Sequence, residues 1–283
     1  MIIIKPLPTE AGQFRQYLPG LQNPLPPGAT ALAAELNGLF AGAAIVMAHP
    51  RSRAGSISVL HTPELFRNRG VGSRLLEEAE RLLAEAGCLS CRVTLTLRLG
   101  VPSPEYEFLS RRGYDAETLL QRDYVIRSAS LAEAPWMKRL KLPPRAKLEP
   151  LLPAAEEERR EIERLAAALP PEQHPFDEER VLDDELGVML KIGGRVAGWL
   201  GVQKLGSTLL AIRAVHVDPN VSLFGGAFAL FAAADRELEL TRRFAHLMFS
   251  VSGEYASTLR VCARKLGPHA SSIKSLVRLE KKL

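Results

Sequence analysis

The amino-acid sequence predicts an α+β fold of two similar domains, each built on a central mixed, mostly antiparallel sheet flanked by helices. The first observation is length, because 283 residues exceed the usual size of one compact domain. The second is that short apolar runs bounded by turn residues alternate with segments of helical periodicity. The third is that the order of these elements begins again after the middle of the chain, which indicates an internal duplication.

In the first half, three apolar runs predict a meander of antiparallel strands. Asn37-Gly38 joins the first two runs, and both residues accept the positive φ of a tight hairpin turn. Pro6 ends an earlier apolar run, and prolines and glycines crowd residues 19–28, which predicts a loop. The elements predicted before residue 62 are strands at 2–4, 31–36, 39–48 and 56–61 and a helix at 9–18.

From Gly70 onward the apolar spacing becomes that of a helix. Val71, Leu75 and Ala79 recur on one face, and Gly87 is suited to end the helix. The remaining elements predicted for this half are strands at 93–97 and 119–126 and a short helix at 105–112, closed by Gly113. The first domain is therefore predicted to span residues 1–127.

Residues 128–147 carry Trp136, several lysines and arginines, and Pro143-Pro144, and we interpret them as a linker or crossover. After them, Leu148-Glu149-Pro150-Leu151 resembles Ile4-Lys5-Pro6-Leu7, and each is followed by a helical stretch. The elements predicted next are strands at 187–192, 196–202, 209–217, 247–251 and 273–279 and helices at 226–238 and 255–266. The second domain is predicted to span residues 148–283.

The composition restricts the classes of function. The hydrophobic share of 46% is enough for two cores, and the net charge of +5 suits anionic phosphates but is too small for this length to predict a nucleic-acid partner. No uncharged apolar run approaches the ~20 residues of a membrane span, and no signal peptide is recognised. We expect a cytoplasmic protein without a membrane partner. Three cysteines exclude a disulfide framework, and no metal site is expected although Cys88 and Cys91 form a C-x-x-C pair.

The residues that indicate chemistry lie between 57 and 73. A buried strand leads through Pro63 into the turn Arg67-Asn68-Arg69 and a helix that opens at Gly70-Val71-Gly72. The glycines permit close backbone approach, and the first helical turn presents unpaired N–H groups and the positive end of the helix dipole. The sequence therefore predicts a pyrophosphate site with two flanking arginines. The alternative is an ordinary glycine-rich turn before a helix. A Walker motif is excluded, because Gly72 is followed by Ser73-Arg74.

The stretch 59–76 resembles the strand–proline–R/Q-x-x-G-x-G/A–helix block of the GNAT superfamily of acyl-CoA-dependent N-acyltransferases. Its sequence is Val59-Leu60-His61-Thr62-Pro63-Glu64-Leu65-Phe66-Arg67-Asn68-Arg69-Gly70-Val71-Gly72-Ser73-Arg74-Leu75-Leu76. The resemblance implies that the strand before the turn splays from its neighbour and that its main chain at Val59, Leu60 and His61 contacts the pantetheine arm of acetyl-CoA. It implies a pyrophosphate held by the amides of Arg67, Asn68, Arg69, Gly70, Val71, Gly72 and Ser73.

The second block of that family, around the helix before Gly113, fits less well. The family usually has a tyrosine four residues before this glycine, and in many members it protonates the departing thiolate. Here Leu109 stands at that position, and Pro102 stands where an asparagine is usual. Tyr106, one helical turn earlier, is the candidate general acid, and its alternative is a tyrosine packed at the sheet edge.

A general base is also needed, because attack on a thioester requires a neutral amine. The candidates are Glu35, His61 and Glu105, and His61 is favoured because a histidine titrates near neutral pH. The resemblance implies an N-acetyltransferase that transfers the acetyl group by direct attack of a small-molecule or peptide amine, as a monomer or homodimer. A non-catalytic CoA-binding sensor or scaffold is the alternative, and a generic nucleotide-binding module is a third possibility.

The second half resembles the same superfamily more faintly, which indicates a tandem arrangement with a degenerate C-terminal copy. Aligned from Pro219, the glycine-arginine block becomes Leu223, Gly225, Gly226 and Phe228, so both arginines are missing. The phenylalanine stands where the second glycine belongs and should obstruct the approach of a phosphate. We expect this half to serve as a structural partner or as a wall of the acceptor site.

Overall fold

The structure is a computed structural model, and it describes residues 1–7, 25, 27–170, 173–177, 179–221 and 223–283. The chain forms two compact units. Unit 1 contains Met1–Leu120 and Leu276–Leu283, and unit 2 contains Gln121–Ser275. Both units have strands in a mixed sheet with helices against it, which confirms the predicted α+β class.

Unit 1 contains the antiparallel meander that the sequence predicts. Strands β1 to β4 pair in chain order, and β5 joins β4 in parallel. The hairpin residues Asn37 and Gly38 have φ values of 54° and 77°. The predicted helix at 9–18 lies outside the described residues. The elements are β1 (Ile2–Leu7), β2 (Ala29–Leu36), β3 (Leu39–His49), β4 (Ala54–His61), α1 (Val71–Glu85), β5 (Ser90–Arg98), α2 (Pro104–Ser110) and the first part of β6 (Ala116–Arg127).

Helix α1 covers the sheet of unit 1 with the apolar stripe predicted for it. The side chains of Val71, Leu75, Leu76, Ala79 and Leu83 are buried. The buried Tyr114 donates its hydroxyl to Glu80 Oε1 at 3.0 Å, and Lys281 Nζ donates to Glu80 Oε2 at 2.7 Å. These bonds attach the C-terminal segment to the helix, so the end of the chain is part of the core of unit 1.

Unit 2 repeats this order of elements. Its strands are arranged as β6-β11-β10-β9-β8-β7, and β10 and β11 are its parallel pair. The elements are the second part of β6, α3 (Ser128–Ala132), α4 (Pro135–Arg139), β7 (Ala146–Pro150), α5 (Glu156–Ala166), β8 (Val188–Ile192), β9 (Arg195–Lys204), β10 (Leu209–Val217), α6 (Ala227–Leu238), α7 (Leu240–Arg243), β11 (His246–Ser252), α8 (Ala256–Lys265) and the start of β12 (Ala270–Lys282).

The compact units are defined by packing, whereas the predicted domains 1–127 and 148–283 follow the repeated order of elements. Packing places the unit boundaries inside β6 and β12 and assigns Leu276–Leu283 to unit 1. Residues 128–147, predicted as a linker or crossover, contain α3 and α4, whose Leu131 and Met137 are buried in the core of unit 2. The domain boundaries from the sequence stay predictions.

One glycine in each unit allows two neighbouring strands to approach closely. A Cβ at Gly42 on β3 would lie 2.7 Å from the carbonyl oxygen of His61 on β4. A Cβ at Gly198 on β9 would lie 2.4 Å from the carbonyl oxygen of His216 on β10. Real Cβ atoms do not approach a backbone oxygen so closely, so a side chain at either position would push the strands apart.

We expect Gly198→Ala to lower the free energy of unfolding of unit 2 by about 1–3 kcal/mol, because the new methyl group overpacks the strand pair. Gly267→Ala is the control, because its Cβ would meet no atom within 4 Å. Urea unfolding followed by tryptophan fluorescence reports on this unit, since the two tryptophans, Trp136 and Trp199, both lie in it. Equal stability of the two variants would contradict the close approach.

Candidate cofactor site

Strands β4 and β5 separate part-way along their length. Their parallel pairing runs from Ala54–Ser90 to Ile57–Val93, whereas β4 continues to His61 and β5 to Arg98. Beyond Ile57 the two strands therefore do not pair, and the edge of β4 that faces β5 is open. The predicted contacts Val59, Leu60 and His61 all lie on this open part of β4.

A β-bulge lies at the point of separation. Val46 of β3 faces Ile57 and Ile45 faces Val59, so Ser58 is an extra residue in β4. The Ser58 hydroxyl donates to the Ile45 carbonyl oxygen at 3.4 Å. A bulge bends its strand and disturbs the local ladder, which accounts physically for the divergence of β4 from β5.

A compact turn connects β4 to helix α1. Pro63 precedes a 3₁₀ turn at Glu64–Phe66, and Arg67 Nε donates to the Thr62 carbonyl oxygen at 3.1 Å. Asn68 and Gly70 have φ values of 59° and 82°. Asparagine tolerates the left-handed region and glycine adopts it freely, which explains why these residue types form the turn.

The first turn of α1 presents unpaired backbone donors. The amide of Arg74 donates to the Gly70 carbonyl oxygen at 3.0 Å and makes the first bond of the helix. The amides of Val71, Gly72 and Ser73 have no hydrogen-bond acceptor among the residues that the structure describes. Together with the positive end of the helix dipole they form a donor set suited to a phosphate.

The two glycines of the motif have different roles. A Cβ at Gly70 would meet only Ile2 Cδ1, at 3.8 Å, so this glycine is needed for its positive φ. A Cβ at Gly72 would lie 3.4 Å from Thr62 Oγ1 and 3.6 Å from Phe108 Cζ. Both distances are ordinary van der Waals contacts, so they show that Phe108 of α2 packs next to Gly72, a contact that the local sequence motif did not indicate.

The sequence prediction missed one arginine beside these amides. Arg112 follows helix α2, and its Nη2 donates to Ser73 Oγ at 2.5 Å. The predicted Arg69 is exposed, and Arg67 is held by the turn itself. Arg112 and Ser73 are 39 positions apart in the chain. No local spacing in the sequence therefore indicates their contact.

Tyr106, the candidate general acid, lies in the first turn of α2. Its amide donates to Ser103 Oγ at 3.2 Å, and its hydroxyl donates to Glu117 Oε2 at 2.9 Å. This hydrogen bond and the negative charge of Glu117 raise the pKa of Tyr106. Leu109, at the position of the usual family tyrosine, is buried in the core of unit 1.

The three candidate bases have different surroundings. The His61 side chain is half-buried, and its ring has no hydrogen-bonded or ionic partner in the described part of the chain. Glu35 is paired with Lys5 at 2.8 Å, and Glu105 accepts a hydrogen bond from Ser103 Oγ at 3.1 Å. In the described residues no contact joins His61 to Tyr106. Among the three candidates, His61 is the one that lies on the open part of β4.

The cysteines are buried within the units. Burial raises the pKa of the Cys91 thiol to about 11, and burial raises that of Cys262 to about 11 as well. These two thiols are protonated at neutral pH. Among the described residues no group of three or more histidine, cysteine, aspartate or glutamate side chains is arranged to hold a metal ion. No helix in the described ranges has the length and apolar character needed to cross a membrane.

Residues 5–100 match the model of the acetyltransferase (GNAT) family. This part of unit 1 is therefore similar to a GNAT domain. The matched segment contains the open strand, the turn and helix α1, so the candidate site lies inside it. Members of this family transfer acyl groups from acyl-CoA, which supports an acyl-CoA-dependent N-acyltransferase with an acceptor substrate. No curated protein matches the sequence.

Solved structures show the tandem form of the GNAT fold. A tandem GNAT protein from the clavulanic acid biosynthesis pathway is 15% identical, with a TM-score of 0.56 over 99% of this chain and 98% of that one. A GCN5-related N-acetyltransferase from Sphaerobacter thermophilus is 19% identical, with a TM-score of 0.54 over 96% of this chain and 85% of that one. At such identities the likeness shows the fold, and it confirms two GNAT-like domains in one chain.

The second GNAT-like unit keeps the backbone features of the first. Its parallel pairing ends at Ile212–Phe249, before the end of β10, and Arg213 is the extra residue of a β-bulge. His216 pairs with Trp199, the residue after Gly198, just as His61 pairs with Ala43, the residue after Gly42. The internal duplication predicted from the order of elements is therefore also visible in the strand registers.

The start of helix α6 in the second unit is closed. The amide of Phe228 donates to Gly225 O at 3.1 Å, and that of Ala229 donates to Gly226 O at 2.9 Å. The Phe228 ring packs edge-on against Trp136 of α4, with centroids 5.1 Å apart. Two of the three amides that correspond to the donor set of unit 1 are thus satisfied within the turn. The obstruction of a phosphate by Phe228 stays a prediction.

We expect Glu117→Gln to lower the pKa of Tyr106, because the substitution removes both the carboxylate acceptor and its negative charge. The protein would be labelled with ¹³C at Cζ of its tyrosines, and the chemical shifts would be followed by NMR as the pH is raised. The signal of Tyr106 is the one that disappears in the Tyr106→Phe variant. Tyr114 serves as an internal control, since burial raises its pKa and keeps it protonated through the titration. An unchanged Tyr106 titration in Glu117→Gln would contradict the hydrogen bond.

Proposed function

We propose that the protein is an N-acetyltransferase that transfers an acetyl group from acetyl-CoA to an amine. The observation that carries this proposal is the set of unpaired amides at Val71, Gly72 and Ser73, next to the open end of β4, in the segment that matches the GNAT family. Neutral backbone donors fixed by a helix favour an anionic phosphate and cost little reorganisation.

Binding uses two parts of the main chain. The open edge of β4 at Val59, Leu60 and His61 offers its unpaired backbone groups to the amide-containing pantetheine arm, in the manner of an added strand. The amides from Arg67 to Ser73 hold the pyrophosphate, and the positive end of the helix dipole adds to this attraction. Such an arrangement places the thioester along β4, near the separation of the two strands.

The bound acetyl-CoA would supply the thioester that the amine attacks. His61 accepts the proton that the amine nitrogen loses, directly or through a water molecule, as the new C–N bond forms and the C–S bond breaks. Tyr106 donates a proton to the sulfur of the leaving thiolate. The raised pKa of Tyr106 keeps its hydroxyl protonated, although the hydroxyl must first leave Glu117.

A second function, a CoA-binding sensor or scaffold without turnover, is favoured by two observations. Leu109 is buried at the position where many family members have the tyrosine that protonates the thiolate. The hydroxyl of the nearby Tyr106 is occupied by Glu117. In both functions the second GNAT-like unit is not expected to bind CoA, because two of the amides at its helix start are already satisfied.

We expect Gly70→Ala to weaken CoA binding by about tenfold or more. Alanine in the left-handed region is strained by about 1–2 kcal/mol, and relief of this strain would move the amides that follow. Gly87→Ala is the matched control, since Gly87 has a φ of 80° just after the other end of the same helix and its Cβ would meet no atom within 4 Å. Isothermal titration calorimetry with CoA measures the effect.

Both alanine variants should lose comparable stability, and only Gly70→Ala should lose affinity. If the two variants bind CoA with equal affinity, the start of α1 is not the phosphate site. Competition by ATP as strong as that by CoA would instead indicate a generic nucleotide-binding module.

We expect Tyr106→Phe and His61→Gln each to reduce kcat with an amine acceptor by about 100-fold, because general acid and base groups contribute on this scale. Release of CoA would be followed over a panel of small-molecule amines and peptides. Glu117→Gln should move the alkaline limb of the pH profile to lower pH, since it lowers the pKa of the acid. CoA binding without turnover of any acceptor would support the sensor and contradict the transferase.

A further inference from the structure

Arg112 is held in place by three neutral groups. Its Nη2 donates to Ser73 Oγ at 2.5 Å, and its Nη1 donates to the Phe108 carbonyl oxygen at 2.9 Å. Its guanidinium carbon lies 3.7 Å from the centroid of the Phe108 ring, within the range of a cation–π interaction. The guanidinium is therefore fixed in position beside the first turn of α1, and the side chain is half-buried.

The charge of Arg112 is not balanced by a carboxylate. Neighbouring arginines are paired, since Arg111 bonds Glu107 at 2.8 Å and Arg74 bonds Glu77 at 3.1 Å. In the described part of the chain no aspartate or glutamate makes an ion pair with Arg112. A half-buried cation that is anchored by neutral groups keeps its full charge for an anion that approaches the same turn.

We propose that Arg112 is a further phosphate-binding residue, which donates to the pyrophosphate of the CoA donor together with Ser73 and the amides of α1. The inference rests on the proposed function, because it adds a residue to the same site. The hydrogen bond to Ser73 favours the pyrophosphate over the 3′-phosphate of CoA as the partner of Arg112. Ser73 belongs to the first helical turn, where the unpaired amides lie, so the guanidinium is beside the pyrophosphate and not beside the more distant 3′-phosphate.

Phe108 is the positioning residue in this arrangement. Its ring lies under the guanidinium, and its Cζ lies 3.6 Å from the position that a Cβ of residue 72 would take, so the ring packs directly against Gly72. Helix α2 thus brings a cation to the start of α1 through one aromatic contact. The planar fork of arginine donates to Ser73 and to a phosphate oxygen at once, which a lysine ammonium does less well.

The test compares Arg112→Gln with wild-type protein in calorimetric titrations with CoA and with dephospho-CoA, which lacks the 3′-phosphate. One charge-assisted hydrogen bond contributes about 1.5–3 kcal/mol, so both ligands should bind ~10–100-fold more weakly to the variant. The loss should be equal for the two ligands. Arg112→Lys should show an intermediate loss. Arg111→Gln is the matched control at the same helix end and should stay within about twofold of wild type.

The salt dependence of binding separates a phosphate contact from a structural effect. Removal of a cation that contacts the pyrophosphate should make the dependence of log Kd on log salt concentration less steep, whereas a change in packing should leave that slope unchanged. An unchanged affinity, an unchanged slope or a loss confined to CoA would overturn the assignment of Arg112. Wild-type protein that binds neither ligand would instead overturn the proposed function, together with this inference.

Discussion

The candidate cofactor site in unit 1 depends on one constraint. The backbone N–H groups at the start of helix α1 lack hydrogen-bond acceptors. A helix cannot satisfy its first amides internally, and those of Val71, Gly72 and Ser73 stay unpaired in this fold. The left-handed Gly70 aims them, the bulge at Ser58 opens β4 beside them, and Arg112 adds a cation at Ser73. Four separate features of the backbone and side chains thus lie together at the candidate anion site.

Unit 2 has the same backbone features as unit 1 but lacks the complete set of unpaired amides. The early end of the parallel pairing, the bulge and the close-approach glycine are all repeated in this unit. The loop before α6 satisfies two of the corresponding amides, and Phe228 with Trp136 covers the helix start. Lys265 Nζ lies 5.2 Å from the Phe228 ring centroid and 5.3 Å from that of Trp136, so a cation faces these rings. An aromatic contact therefore lies at the start of α6, at the position that corresponds to the candidate phosphate site of α1.

The groups proposed for catalysis are less preorganised than those proposed for binding. The donor set is built from backbone that the helix fixes, whereas the Tyr106 hydroxyl is exposed to an alternative acceptor, Glu117. A proton donor that is already engaged must break one hydrogen bond before it makes another.

The sequence by itself determined the features that depend on neighbouring residues. The Asn37-Gly38 hairpin, the turn before Gly70 and the amphipathic α1 are local, because φ preferences and helical periodicity act within a few residues. The internal duplication is visible in the sequence because these local signals recur in the same order in the second half. Only the tertiary structure decided the contacts between distant segments: Arg112 with Ser73, Tyr106 with Glu117, and the C-terminal Lys281 with Glu80. Such pairs depend on how helices and strands pack, and no spacing in the sequence records that packing.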